Sequence, residues 1–471
     1  MMRGTRTRVL AVVFSLLLAT AASVSAQITT GTVSGTIKDS TGAVVPGATV
    51  VLTSEARGTK SAPVVTNESG DFVIPNVTAD TYTLEVTMTG FRPIKREHVP
   101  VSGGDRVALP VMTLEAGGQN EVINVTAEAP LIQAQSGERS FAVTTEQVAN
   151  LPINHGNFTA LTAMVPGVIS GGASAGGTRL GGAGQNNIQM DGISAMDTGN
   201  NGQMLAMNIE SIAEVKVLTQ GYQAEYGRSS GLQITAVTKG GSNRFHGSLY
   251  RVDTNSKWNA INWTTQQNGD AKPVSKNTTQ GYSVGGPVGK PGGNNKLFFF
   301  YSHEYRPQKS SGSVNRFRVP TALERAGDFS QTLDNNGKLI SALVNPNGGT
   351  FAGNIIPLSQ QYAVGQALLN RYPLPNHDQQ AGEAYNLEIA RPTDKHLLQQ
   401  PAVRVDYQFS PSLRVTGKFS GQRDTQRVQP GTMPGFNDVL IPYPYISNYG
   451  VTVNYTLNST TFFEATYGSI K

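Results

Sequence analysis

The residues best able to do chemistry come in spacings that assemble no familiar reaction centre. Gly285-Gly286-Pro287-Val288-Gly289-Lys290 ends in a lysine, as a phosphate-cradling loop does. The glycine that should open such a loop is Val284 here, and Lys290 is followed by Pro291 instead of a hydroxyl residue. Gly171–Gly184 is a run of glycine, serine and alanine that lacks the G-x-G-x-x-G spacing and a strong strand before it. His303-Glu304 has no second histidine at the spacing a zinc peptidase needs. The 6 histidines are scattered, none accompanies a G-x-S-x-G elbow, and there is no cysteine to act as nucleophile, disulfide or thiolate ligand. No catalytic, cofactor-binding or metal-ligating residue is nominated, and the reading is of a protein that is not an enzyme; a secreted β-rich enzyme is the least supported class.

The composition bounds what remains. The 471 residues suffice for two to four domains; 52 are glycine, 15% are charged and 38% are hydrophobic, which suits turn-rich β structure better than helix bundles. The formal charge is +5 with lysine and arginine dispersed, so no basic stripe points to nucleic acid. Residues 1–26 read as a signal peptide: Arg3, Arg6 and Arg8, then the apolar run Val9–Leu18, then Val24-Ser25-Ala26 before Gln27. The apolar run falls short of the roughly 20 residues that span a bilayer, and no later stretch is apolar enough. Entry into a membrane would therefore require a barrel.

Three patterns follow along the chain. Residues 27–116 hold short alternating strands with turns between them, with Tyr82, Leu84 and Val86 on one face, the spacing of a β-sandwich. Within it Phe91 is either a ligand contact or, more commonly for such a residue, packing. Residues 117–136 form a linker with one apolar alternation, Glu121-Val122-Ile123-Asn124-Val125-Thr126-Ala127. Residues 137–243 mix a short capped helix at Thr144–Val148, the strand and turn Asn187–Ile193, and two strands, Ile212–Leu218 and Leu232–Thr238, before the turn cluster Lys239–Asn243. Ile212–Leu218 sets Ala213, Val215 and Val217 against Glu214 and Lys216, as a half-buried strand would.

From residue 244 to 471 the period of two dominates. Strands are predicted near 245–252, 280–288, 296–305, 401–409, 412–423, 447–457 and 460–470. Val403, Val405, Tyr407 and Phe409 alternate with Arg404, Asp406 and Gln408, and Tyr449, Val451, Val453, Tyr455 and Leu457 alternate with Asn448, Gly450, Thr452, Asn454 and Thr456. Short connections (Gly289–Asn295, Ser410-Pro411, Asn458-Ser459) take turns with long ones (Asp253–Thr279, Arg306–Gln400, Asp424–Ile446), as the two ends of an outer-membrane barrel do. A helix is expected through Ala363 and Leu369.

The chain resembles TonB-dependent outer-membrane receptors of the Oar-like group. The resemblance rests on Asn208–Tyr250; on Leu151-Pro152, Phe158 and Val165-Pro166-Gly167-Val168 of a plug signature; and on Gly31–Ile37, Val45–Val50, Gly70-Asp71-Phe72, Tyr82-Thr83-Leu84 and Gly90-Phe91 of a carboxypeptidase-regulatory-like domain. One departure is Asn154-His155-Gly156-Asn157-Phe158, which lacks an arginine common in the family. The resemblance implies a mainly β fold: a small β-sandwich of carbohydrate-binding-like type, an α+β plug, then the first part of an antiparallel transmembrane β-barrel. It also implies an outer-membrane location, an extracellular ligand (carbohydrate or peptide), contact with outer-membrane lipid, and coupling to TonB through a short box, for which Glu121–Ala127 is the candidate. The alternative is an outer-membrane surface or adhesion scaffold without transport. Plugged transporter barrels have about 22 strands, and single-chain bacterial barrels have even numbers. Seven strands with an open edge therefore predict that the natural protein continues past Lys471.

Overall fold

The computed structural model describes residues 30–117, 123–125, 138–144, 158–169, 186–197, 199, 202–222, 230–311, 314–380, 382–390, 393–425, 445–458 and 460–471. The signal-peptide span, Gly171–Gly184 and positions 145–148 lie outside them.

The first unit contains β1 (Gly31–Asp39), β2 (Thr49–Ser54), β3 (Val64–Val65), β4 (Asp71–Val77), β5 (Asp80–Thr87), β6 (Ile94–Val101), β7 (Arg106–Ala108), β8 (Met112–Leu114) and β9 (Ile123–Val125). One sheet runs β4-β1-β7 with β8 also on β1, and the other runs β3-β2-β5-β6-β9. Alternation drives the packing. Val50 and Leu52 of β2 and Tyr82, Leu84 and Val86 of β5 point inward onto Val33, Ile37, Phe72 and Ile74 of the facing sheet. Phe91 packs against this core.

The middle unit contains β10 (Arg139–Thr144), a 3₁₀ turn at Phe158–Met164, β11 (Asn187–Met190), β12 (Ile193–Ser194), β13 (Ile212–Gln220) and β14 (Gln233–Thr238), in the order β10-β13-β14-β11-β12. Thr144, which with Thr145 is a candidate N-cap, ends strand β10, and the helix expected after it lies outside the described residues. Its core gathers Phe158, Leu161, Ile188, Met190, Leu205, Val215, Val217 and Ile234. β13 departs from the half-buried expectation: its polar face is buried too, with Glu214 9% and Lys216 6% exposed. The reason is tertiary. The first unit covers that face, and Lys216 Nζ donates to Asp105 Oδ1 at 2.6 Å and to the Gly103 carbonyl at 3.0 Å.

The rest is a seven-stranded antiparallel meander: β15 (His246–Asn255), β16 (Ser275–Pro287), β17 (Leu297–Ser311), β20 (Thr393–Ser410), β21 (Leu413–Asp424), β22 (Ile446–Thr456) and β23 (Phe462–Ile470). Each strand pairs with the next, and β15 and β23 are the open edges. All seven predicted strands are present, but β17 and β20 run well past 305 and begin well before 401. They pair through Ser311 and Thr393, above the stretch where the outward residues are apolar. The connection predicted as 306–400 is therefore 312–392, and it carries its own ribbon of β18 (Val314–Phe317) and β19 (Leu387–Ala390) plus the expected helix, Ala363–Leu369.

This sheet is inside out relative to a water-soluble one. The polar residues are buried (Asp406 2%, Thr452 3%, Asn454 4% exposed), while Val405, Phe409, Tyr449, Val451 and Tyr455 are open to the outside. Water would not favour that arrangement, whereas a bilayer around a polar interior does. Arginine at Val405 or Val451, which share one cross-strand row of the outer face through Gly417, should cost about 2–4 kcal/mol of folding in vesicles at a site near the bilayer midplane. A urea titration of each variant against the parent checks this; unchanged midpoints would remove the lipid-facing assignment.

Candidate functional site

The inner wall of the large sheet holds the middle unit, and their seam is polar. On one side of it, Tyr250 of β15 reaches across Gly281 of β16 to donate to Glu304 of β17 at 2.6 Å. A Cβ on Gly281 would meet the Tyr250 hydroxyl at 2.5 Å, so only glycine lets the ring lie across the row. Arg306 donates to the same carboxylate at 2.8 Å. Ser302 meets Ser211 of the middle unit at 2.7 Å, and Gln400 Nε2 donates to the Ala206 carbonyl at 2.7 Å. The main chain at Gly241 threads where a Cβ would meet the Phe299 carbonyl at 2.5 Å, a close approach that needs glycine.

The other side is a buried charge cluster contributed by all three units. On β20, Arg404 forks onto Asp406 at 2.9 and 3.0 Å, and Thr416 of β21 donates to that carboxylate at 2.9 Å. Arg404 Nη1 also donates to the Thr238 carbonyl at 2.7 Å and lies 4.0 Å from Asp191. Asp191 occupies the turn between β11 and β12 at φ 51°, a left-handed conformation that aspartate tolerates, and accepts from both the amide and the hydroxyl of Thr238. Lys418 of β21 stands 3.7 Å from Asp191, and Arg57 of the first unit 3.9 Å from Asp406. Close by, burial pushes the Glu214 carboxyl up to about 7; a hydrogen bond from Ser102 opposes it, Asp105 adds to it and Lys216 opposes it further.

At the opposite end of the sheet, 312–392 folds over itself. Arg316 grips Asp270 of the preceding long connection at 2.8 and 3.1 Å and Glu388 at 2.9 Å, with its guanidinium 5.0 Å over the Tyr385 ring. The Gln380 amide, then His377, hold the Glu383 carboxyl down to about 2. Leu358, Tyr362, Val364 and Leu368 remain exposed on this cap.

Of the candidate box, Ile123, Asn124 and Val125 form β9, which adds in parallel to β6 through Ile94, Lys95 and Arg96. Glu121, Val122, Thr126 and Ala127 lie outside the described residues. Among the described residues no group of histidine, cysteine, aspartate or glutamate could hold a metal ion, and no helix is long and apolar enough to cross a membrane. The alternation places Arg404 and Asp406 on the polar face but does not join them to Arg57 and Asp191. Chain separation hides that union; two adjacent, opposite charges on an inward face are the only local sign.

Residues 237–471 match the model of an outer membrane beta barrel domain, and residues 32–115 that of a carboxypeptidase regulatory-like domain. Among curated proteins the chain is similar to the TonB-dependent transporter Oar of Myxococcus xanthus, 25% identical over 465 residues, covering 89% of this chain and 42% of that one. The chain thus spans less than half the length of that relative. Solved structures similar to it include the outer membrane transporter YddB from Escherichia coli (TM-score 0.41, 13% identity, 70% of this chain and 38% of that one) and the siderophore receptor PirA from Pseudomonas aeruginosa (TM-score 0.32, 14% identity, 70% and 47%).

Proposed function

We infer, from this chain's place among the Oar-like TonB-dependent receptors of the cell outer membrane, that the whole protein binds an extracellular ligand and imports it through a plugged barrel. The observation that supports this most directly is the polar inner wall of the large sheet, filled by a separate folded unit through Ser211–Ser302, Asp191–Lys418 and Thr238–Arg404. A scaffold built only for adhesion has no use for a removable polar filling. In this reading residues 27–116 are the regulatory-like sandwich, 117–136 the linker, 137–243 the plug and 244–471 barrel, and Glu121–Ala127 is the TonB box. The ligand class we favour is carbohydrate or peptide, by analogy with the group alone.

The cap over 312–392 stands on the side of the long connections, which face outward in such barrels. It carries its own ribbon and is tied by Arg316 to Glu388 and to Asp270 of the preceding connection, and long connections of this kind usually carry function. Deleting 314–390 from the complete protein should weaken ligand binding by tenfold or more while outer-membrane abundance stays near the parental level. Unchanged binding would remove the cap's role. Uptake that collapses when the proton-motive force is dissipated distinguishes import from adhesion.

A further inference from the structure

We propose that the regulatory-like sandwich is a second closure of the barrel, seated in the lumen on the side of the short turns beneath the plug; the proposal rests on the plugged-barrel reading above. The contacts run across four neighbouring strands of the sheet, not through a single tether. Thr30 donates to Glu464 of β23 at 2.7 Å, Asn454 of β22 to Asn76 at 2.9 Å, and Arg414 of β21 to Thr78 at 3.0 Å. Arg57 extends them to Asp406 of β20 and the Gly241 carbonyl, and the Asn243 amide donates to the Ala56 carbonyl at 2.8 Å. Each partner on the large sheet faces inward, and Arg414, Asn454 and Glu464 lie within a few residues of the turns at 411–412 and 457–461. The same sandwich also buries Lys216 and Glu214 of the plug.

These contacts are polar and mostly to side chains of the wall, the composition of a surface made to separate and not of a fused core. Asp406 is the pivot: it faces Arg57 of the sandwich directly and, through Arg404, Thr238 and Asp191 of the plug. Movement of the plug therefore withdraws a partner from the cation that helps hold the sandwich's anchor. In this arrangement the plug and the sandwich are two doors in series, and freeing the plug alone does not clear the lumen.

The 471 residues contain no cysteine, so within them an introduced pair stands alone. In the complete protein, Thr30→Cys with Glu464→Cys, and separately Thr78→Cys with Arg414→Cys, are joined by a short bis-maleimide whose spacer reductant cleaves. The yield of the cross-link on a gel reads the docking without any need for transport. Purified protein in planar bilayers is then exposed to rising urea, which loosens the least stable unit first, with potassium chloride as the conducting probe. We expect efficient cross-linking, at least tenfold fewer conducting events in the cross-linked protein at urea concentrations that open the unlinked one, and recovery after cleavage. Absence of cross-links in both pairs, or identical opening before and after cleavage, would overturn the proposal. Failure of energised import in cells, with cross-linking and closure intact, would instead count against the transport reading.

Discussion

Val122→Pro and Val125→Pro, each in the complete protein, are expected to abolish energised uptake while ligand binding and outer-membrane abundance stay at parental levels. In the import reading proposed above, the plug is moved by a partner reaching from the inner membrane, because the outer membrane holds no ATP. An extended segment that adds as a strand to that partner is held by main-chain hydrogen bonds. Proline deletes one amide donor, worth about 0.5–1.5 kcal/mol net, and fixes φ against its neighbours. The lost donor alone should therefore lower affinity for the isolated periplasmic domain of TonB by about two- to twelvefold. The structure adds a competing partner. Ile123–Val125 pairs in parallel with Ile94–Arg96 at the edge of the sandwich sheet, so the segment is already β-competent and its edge is already taken. Handing this strand to a second protein means peeling it from the first. If abundance collapses in either variant, the strand serves the sandwich; if uptake proceeds at the parental rate, the box lies elsewhere.

Much of the architecture is legible in the sequence because lipid imposes a strict rule. Alternation from Val403 to Phe409 and from Asn448 to Leu457 marks strands and both faces correctly, since each outward position must be apolar and each inward one need not be. The same rule explains where the reading fell short. Above the lipid Lys309 and Lys395 stand on the outward face of β17 and β20 and Gln308 and His396 on the inward one; water permits polar residues on both faces, the period of two fades, and the local pattern predicts short strands. β13 failed for the opposite reason. Glu214 and Lys216 mark a solvated face in any local pattern, and only the sandwich, more than a hundred residues away at Asp105, covers them. The charge cluster escaped because Arg57, Asp191 and Arg404 belong to three separate units whose proximity no local spacing encodes.

Asp406→Ala should be among the most damaging single substitutions in the large sheet. The carboxylate is 2% exposed and receives Arg404 at 2.9 and 3.0 Å, Thr416 at 2.9 Å and Arg57 at 3.9 Å. Removing it leaves two guanidinium groups facing each other without the anion between them. Arg404 itself is 7% exposed, and its remaining partners are the Thr238 carbonyl and Asp191 at 4.0 Å. Breaking a buried pair from one side typically costs about 3–5 kcal/mol, because the stranded charge stays desolvated. Replacing both members by apolar residues of similar size is commonly far milder. Arg404→Met combined with Asp406→Leu should therefore be less destabilised than Asp406→Ala alone, with a coupling of about 0.5–3 kcal/mol. Urea midpoints in vesicles, measured for the parent, Arg404→Met, Asp406→Leu and the double, supply the cycle, with Asp406→Ala measured beside them. A loss under about 1 kcal/mol in Asp406→Ala, or strict additivity in the double, would show that water or relaxation already satisfies these charges and that the cluster does not hold the three units together.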